Sequence, residues 1–379
     1  MKAYLTPFSI AVFVMIYPLR GGDTLGLGFL PSLAALALLG VAFATRPKGR
    51  FVFTATDIAV IVYFFIIIVS MLISGVSDMS LRYFTQIVIL SIIPFVIIRI
   101  AGLSIDDVMR FIRVFPYVTL LSAASMIIII GPTQLISYSG SRLGTEAFNP
   151  VGVGYAFGIS AFASVVALKL RLCSFVIAGL STSVSVAILL LTGSRGSMLA
   201  LVAVLVLLLL ANARRNLNWR IALMVLVIAV TVYFVFDTVD SIMVFDRYTN
   251  ALDSYSVQAR YESWKIAIDM FQEQLLLGHG LGTFEAKHGE YAHNVVLEHM
   301  ANGGLILTIP FLVIALRNVG WVFAGALGRS NEVVVILALL AIYAFAVRLF
   351  SFSMANTKEV FLFLAMAMSC AQSLRRTQA

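Results

Sequence analysis

Charge is scarce in this chain: only 12% of its 379 residues are Asp, Glu, Lys or Arg. A soluble domain covers its surface with about twice that share, so a set of water-soluble domains is excluded. Cysteine is nearly absent, and Cys173 and Cys370 lie far apart in or beside apolar runs, which leaves no disulfide framework. There is no P-loop, no GxGxxG behind a strand and no nucleophile-elbow serine. Nucleotide-driven chemistry therefore has no support in the sequence.

What is plentiful is apolar. Hydrophobic residues make up 61% of the chain and mean hydropathy is +1.02. A bilayer core takes about 20 apolar residues per helix. Runs of that kind fall at 3–18, 25–44, 57–74, 83–100, 114–131, 150–168, 174–192, 197–211, 221–236, 304–316, 332–349 and 359–372. The short run at 304–316 is expected to extend into its flanks, and Pro94 to kink the run at 83–100. The pattern predicts an all-α polytopic membrane protein of about twelve transmembrane helices.

The net charge of +8 reads as topology before it reads as nucleic-acid binding, because Lys and Arg mark the cytoplasmic side. Lys2 precedes an apolar run reaching Tyr17-Pro18 with no small-residue cleavage site, so a retained first helix is expected. With that end in the cytoplasm, the segments 45–50, 99–113, 169–171, 213–220, 317–329 and the tail with Arg375 and Arg376 share its side, and every short one is basic. Both termini are then cytoplasmic. The expected organisation is nine helices over 1–236, a large outer loop over 237–303, and three helices with a tail over 304–379.

That outer loop is the one long hydrophilic segment. It holds ten acidic residues and all four histidines, His279, His288, His293 and His299. Val257, Tyr261, Trp264, Ile268, Phe271 and Leu275 recur at spacings of four and three, with Gly278 as a stop signal. The spacing predicts an amphipathic helix, either lying at the membrane surface or, as the plainer choice, packed against the helix bundle.

Several outer-side residues are suited to anionic ligands. Arg195 sits in Thr192-Gly-Ser-Arg-Gly-Ser197, a very short turn between two apolar helices. A guanidinium there matches a lipid diphosphate through its bidentate fork, and it matches equally an anchor reaching to lipid headgroups. Arg260, in Ala259-Arg-Tyr-Glu-Ser-Trp264, and Arg142, ahead of Asn149-Pro150, carry the same ambiguity, a surface salt bridge being the plain alternative. His293, in Glu290-Tyr-Ala-His-Asn-Val-Val-Leu-Glu298, has the intrinsic pKa of a general base near neutrality. Asn294 beside it can orient a sugar hydroxyl, and Glu298 can orient the imidazole if the segment is helical. An ordinary interfacial histidine is the alternative. The histidine spacings of nine, five and six match no zinc signature, and no Asp-x-Asp clamp occurs on the outer side, so neither a metal nor another cofactor is expected.

Taken in order, Leu191-Thr-Gly-Ser-Arg-Gly-Ser-Met-Leu-Ala200, Ala259-Arg-Tyr-Glu-Ser-Trp264, Leu277-Gly-His-Gly-Leu-Gly282, Tyr291-Ala-His-Asn-Val-Val-Leu-Glu298 and Asn302-Gly-Gly-Leu305 resemble the Wzy-type O-antigen polymerase and O-antigen ligase family of bacterial inner membranes. The motifs span about 140–310. The resemblance implies a GT-C-like helical fold and transfer of a glycan from undecaprenyl diphosphate to an acceptor hydroxyl on the periplasmic face, with inversion and without metal. It implies that Arg195 and Arg260 bind the donor diphosphate and that His293 activates the acceptor. Asn294, Trp264, Glu298 and Arg142 fall among the substrate-binding positions. The Tyr-Ala-His-Asn segment resembles the polymerase version, with Ala292 in place of a frequent proline, whereas the spacing from Arg195 to Leu199 resembles a ligase motif. A chain-length regulator is an expected partner of a polymerase; nucleic acid is not. A secondary transporter or flippase also fits twelve helices, but it calls for midplane charges and paired broken helices. Here charges collect at helix ends and in one loop.

Overall fold

A computed structural model of the protein describes residues 2–15, 30–44, 52–130, 149–211, 227–228, 230–231 and 255–378. The apolar run at 221–236 therefore lies almost wholly outside the described residues, as do Arg142 and residues 237–254. Among the described residues the chain is all helix, and it is a multi-pass membrane protein.

The helices are α1 (Lys2–Val14), α2 (Leu30–Ala44), α3 (Ala55–Ile73), α4 (Asp78–Ile87), α5 (Ile93–Ala101), α6 (Ile105–Ile130), α7 (Pro150–Lys169), α8 (Phe175–Leu191), α9 (Arg195–Ala211), α10 (Tyr255–Glu273), α11 (Thr283–His288), α12 (Val295–Ala326), α13 (Glu332–Arg348) and α14 (Lys358–Gln378). Five segments are long and apolar enough to cross a membrane: Ala55–Ile73, Asp78–Ala101, Ile105–Ile128, Pro150–Lys169 and Val295–Ala326. Shorter apolar helices, including α8 and α9, accompany them.

Local chemistry sets the helix ends. Thr54 caps α3 in a reciprocal box with Asp57, Asn149 accepts from Val151 and Gly152 at the start of α7, and Pro150 takes the first helical position, where a missing N–H costs nothing. The kink expected at Pro94 takes the form of a π-helical turn, Val88–Ile92, between α4 and α5. Ile93 N–H bonds back five residues to Val88, and the chain absorbs the proline just after this wider turn. The run at 304–316 belongs to a much longer helix, α12, which breaks once at Gly304 (φ 58°, ψ −159°).

The core forms around α7, in which every residue from Gly152 to Leu168 is buried, together with α13 and α14. A helix apolar all round belongs at the centre of a bundle. Small residues allow the close approach: a Cβ at Gly158 would overlap the hydroxyl of Tyr343 on α13. Buried charges are paired at both ends of the bundle. Arg99 meets Asp57 through two 2.8 Å hydrogen bonds at one end. Toward the other, Arg348 pairs with Glu359, donates to the Tyr155 hydroxyl at 3.0 Å and lies over its ring. Removing either partner of such a pair strands a charge away from water.

Candidate functional site

The turn before α9 consists of Thr192, Gly193 and Ser194, and Arg195 is the first residue of the helix rather than part of the turn. The turn is held from below. Thr192 donates to Leu189 O at 2.7 Å and Ser194 to the Ser197 hydroxyl at 2.9 Å. Gly154 of α7 lies directly against it, where an added Cβ would come within 2.6 Å of Thr192 Oγ1 and 2.7 Å of Ser194 Cβ. Gly196 rests on Phe350, in the connection between α13 and α14. Arg195 is half-buried on this packed base.

Arg260 is half-buried on α10, close enough to Arg195 for the two charges to act on each other. Burial first, and then the Arg195 guanidinium, push the Arg260 pKa below its ordinary value, while Tyr291 opposes the shift. His293 belongs to the same group. Its pKa is lowered by burial and next by the charge on Arg260, and the Glu290 carboxylate, 3.6 Å from Nε2, partly offsets this. The Tyr291 ring lies 4.4 Å from the His293 ring, centre to centre, and burial beside Glu298 raises the Tyr291 phenol to about 12. Two cations, a neutral imidazole and a phenol that keeps its proton thus converge from three separated segments.

His293 has φ +54°, a left-handed backbone that costs a non-glycine residue of order 1–3 kcal/mol. The conformation turns the chain into α12, whose cap is Asn294: its side-chain oxygen accepts from Val296 N at 3.0 Å and Leu297 N at 3.2 Å. The amide oxygen is therefore committed to the helix start. Trp264, one turn beyond Arg260, is half-buried, and its Nε1–H is enclosed without a hydrogen-bond acceptor.

The chain is helical at Glu298, but the carboxyl's hydrogen bonds run to interior groups and not to the imidazole. Glu298 is fully buried, and its carboxyl accepts from Ser353 Oγ at 2.9 Å and Met354 N at 3.1 Å and meets the Tyr83 hydroxyl at 2.7 Å. Tyr83 also reaches Glu285 Oε2 at 2.6 Å, and Arg82 lies 3.7 Å from the other oxygen of Glu285. Tyr83, Glu285, Ser353 and Met354 belong to no motif in the sequence, and only the packing of α4, α11 and the 349–357 connection on α12 brings them together. Tyr291 stood inside a quoted motif, yet its place beside His293 had no signal of its own.

The glycine-rich motifs form a crossing. In Leu277–Gly282 the backbone threads between α3 and α12, with His279 N donating to Ala301 O at 3.0 Å, Gly280 N to Asn302 O at 2.7 Å and Leu281 N to Ser70 O at 3.0 Å. Gly280 (φ +98°) passes so near α3 that a Cβ would lie 2.5 Å from the backbone of Ser74. The other histidines are dispersed. His279 binds Met270 O at 2.9 Å, His288 packs on Phe284, and His299 is buried, with Nε2 2.9 Å from the Tyr63 hydroxyl and its ring stacked on Phe311. Among the described residues no three His, Cys, Asp or Glu side chains group as metal ligands.

A multi-pass helical membrane protein with paired arginines and a histidine at one end of its bundle is thus defined. Residues 180–312 match the family model described as O-antigen ligase, a range that contains Arg195, Arg260 and His293. The chain carries a domain of the O-antigen ligase/polymerase family. No curated protein and no solved structure matches it.

Proposed function

We propose that the protein is a glycosyltransferase of a bacterial inner membrane that polymerises undecaprenyl-diphosphate-linked repeat units on the periplasmic face. The observation that carries this reading is the convergence of Arg195, Arg260 and His293, with Arg260 acting electrostatically on both of the others. Arg195 and Arg260 are both half-buried and their like charges act on each other, and a diphosphate suits two such guanidinium groups through their planar, bidentate donors.

The acceptor hydroxyl oxygen attacks the anomeric carbon of the donor. The bond from that carbon to the diphosphate oxygen breaks, and its electron pair leaves with the diphosphate. His293 takes the hydroxyl proton, a role suited to an imidazole kept neutral by burial and by Arg260. A single displacement inverts the anomeric centre. Charge grows on the leaving diphosphate, where the preorganised cations stabilise it without a metal. Trp264, one turn along α10 from Arg260, is a further substrate-binding residue in this reading. This reading includes about twelve membrane spans, cytoplasmic termini and a chain-length regulator as partner.

The second reading is ligation onto lipid A-core, favoured by the description of the matched family model, O-antigen ligase. The test is the purified protein reconstituted with lipid-linked repeat units in the presence of EDTA, with products resolved by size. A ladder formed without lipid A-core is the expected result. Transfer only after that acceptor is added replaces polymerase by ligase, and no transfer to either, from a verified donor, removes both.

A further inference from the structure

Helix α10 presents three faces. Ser263, Ala267 and Met270 are buried, the last two packed with Phe284, Ala292 and Ala301. Glu262, Lys265, Asp269 and Glu273 are exposed along a second, charged face. Tyr261 and Ile268, seven residues or close to two full turns apart, lie on the third, and Leu275, Leu276 and Leu277 follow just beyond the helix end at Glu273. These five apolar side chains are 39–69% exposed, although a protein surface in water rarely gathers such a stripe without a partner.

The backbone indicates where the stripe sits. Beyond the break at Gly304, Leu305 N–H donates to Leu275 O at 2.8 Å and Ile306 N–H to Leu276 O at 3.2 Å. The leucine run is therefore bonded to the renewed start of α12. From there Leu305, Ile306, Ile309, Val313 and Leu316, 37–56% exposed, continue down a helix long and apolar enough to cross the membrane. An exposed aliphatic row on such a helix is its lipid face, and the leucine run continues that row at one end.

We propose that Tyr261, Ile268 and Leu275–Leu277 are seated in the bilayer leaflet beside the site, with α10 lying along the membrane surface and its charged face turned to water. The occupant of this face is lipid. Continuity with the lipid-facing row of α12 points to acyl chains, and the aromatic Tyr261 at the other end of the stripe suits the membrane–water boundary. Arg260 borders the seated face, so this placement holds its guanidinium at headgroup depth. Its use there on a lipid diphosphate rests on the function proposed above; the seating itself does not.

The test uses full-length protein in vesicles of phosphatidylethanolamine and phosphatidylglycerol, with a nitroxide placed singly at Ile268, Leu276 or Glu262 after Cys173→Ser and Cys370→Ser. Collision with oxygen, which partitions into the bilayer, is compared with collision with a water-soluble nickel chelate. Positions 268 and 276 are expected to favour oxygen at least tenfold over position 262. Nickel access at either 268 or 276 overturns the seating. So does exclusion of both reagents with an immobilised label, which would mean cover by protein, such as a second copy. If the labelled chains fail to fold, Trp219→Phe with Trp321→Phe leaves Trp264 as the single tryptophan. Quenching by lipids brominated near the headgroup then supports the seating, and its absence overturns it. Neither readout needs turnover, so failure here is distinct from failure of the glycosyltransferase reading.

Discussion

The Tyr83 hydroxyl lies 2.7 Å from the Glu298 carboxyl in the buried interior, and its oxygen is also 2.6 Å from Glu285. The one hydroxyl thus bridges Glu285 and Glu298. The arrangement ties α4, α11 and the 349–357 connection to the helix that follows His293.

Glu298→Ala should cost roughly 2–4 kcal/mol, because it leaves the Ser353 hydroxyl and the Met354 N–H without their buried acceptor. Glu298→Gln should cost far less, since an amide of the same shape keeps an oxygen acceptor in that pocket. Thermal unfolding in detergent, followed by size-exclusion chromatography of the surviving protein, distinguishes the two. Equal losses would mean that an amide cannot take the carboxyl's place in this network.

Transfer should fall at acid pH as His293 becomes protonated. Burial and Arg260 lower its pKa, so the acid limb should lie below the ordinary histidine value of 6.5. Glu290 favours the protonated form, and Glu290→Gln removes that support. The limb of this variant should move to lower pH. A profile that stays in place would remove the pairing of Glu290 with His293 from the account.

Arg195→Ala and Arg260→Ala should each reduce transfer by about a hundredfold or more while the protein stays folded in the membrane, as expected when a cation that stabilises a departing charge is lost. Lysine should restore little, because it lacks the planar fork. Near-normal product from Arg195→Ala, measured with membranes of matched protein content, would end its role as a diphosphate ligand.

Gly280→Ala should prevent accumulation of folded protein. The position combines φ +98° with a Cβ 2.5 Å from the Ser74 backbone, so strain and overlap together cost about 3 kcal/mol or more. Gly289→Ala serves as a control, since its φ of +80° is similarly positive but its Cβ would meet open space. Equal yields of the two variants in the membrane would mean that the crossing with α3 is looser than described.

Much of this architecture is written locally. Unbroken apolar runs compel helices, because a membrane offers no other partner to backbone N–H and C=O groups, and the runs at 57–74, 150–168 and 332–349 become helices with nearly those limits. The amphipathic spacing from Val257 to Phe271 likewise becomes α10, which ends at Glu273 before Leu275, and Gly278 follows with φ +62°. The motifs around Arg195, Arg260 and His293 could be picked out because each is short and local. Tertiary structure decided what no local pattern encodes. It set Arg260 beside both Arg195 and His293, turned Glu298 inward to Tyr83, and made the glycine-rich segments a crossing between helices. Periodicity states which face of a helix is apolar. Whether protein or lipid covers that face, and which charge meets which, depends on the packing of helices far apart in the chain.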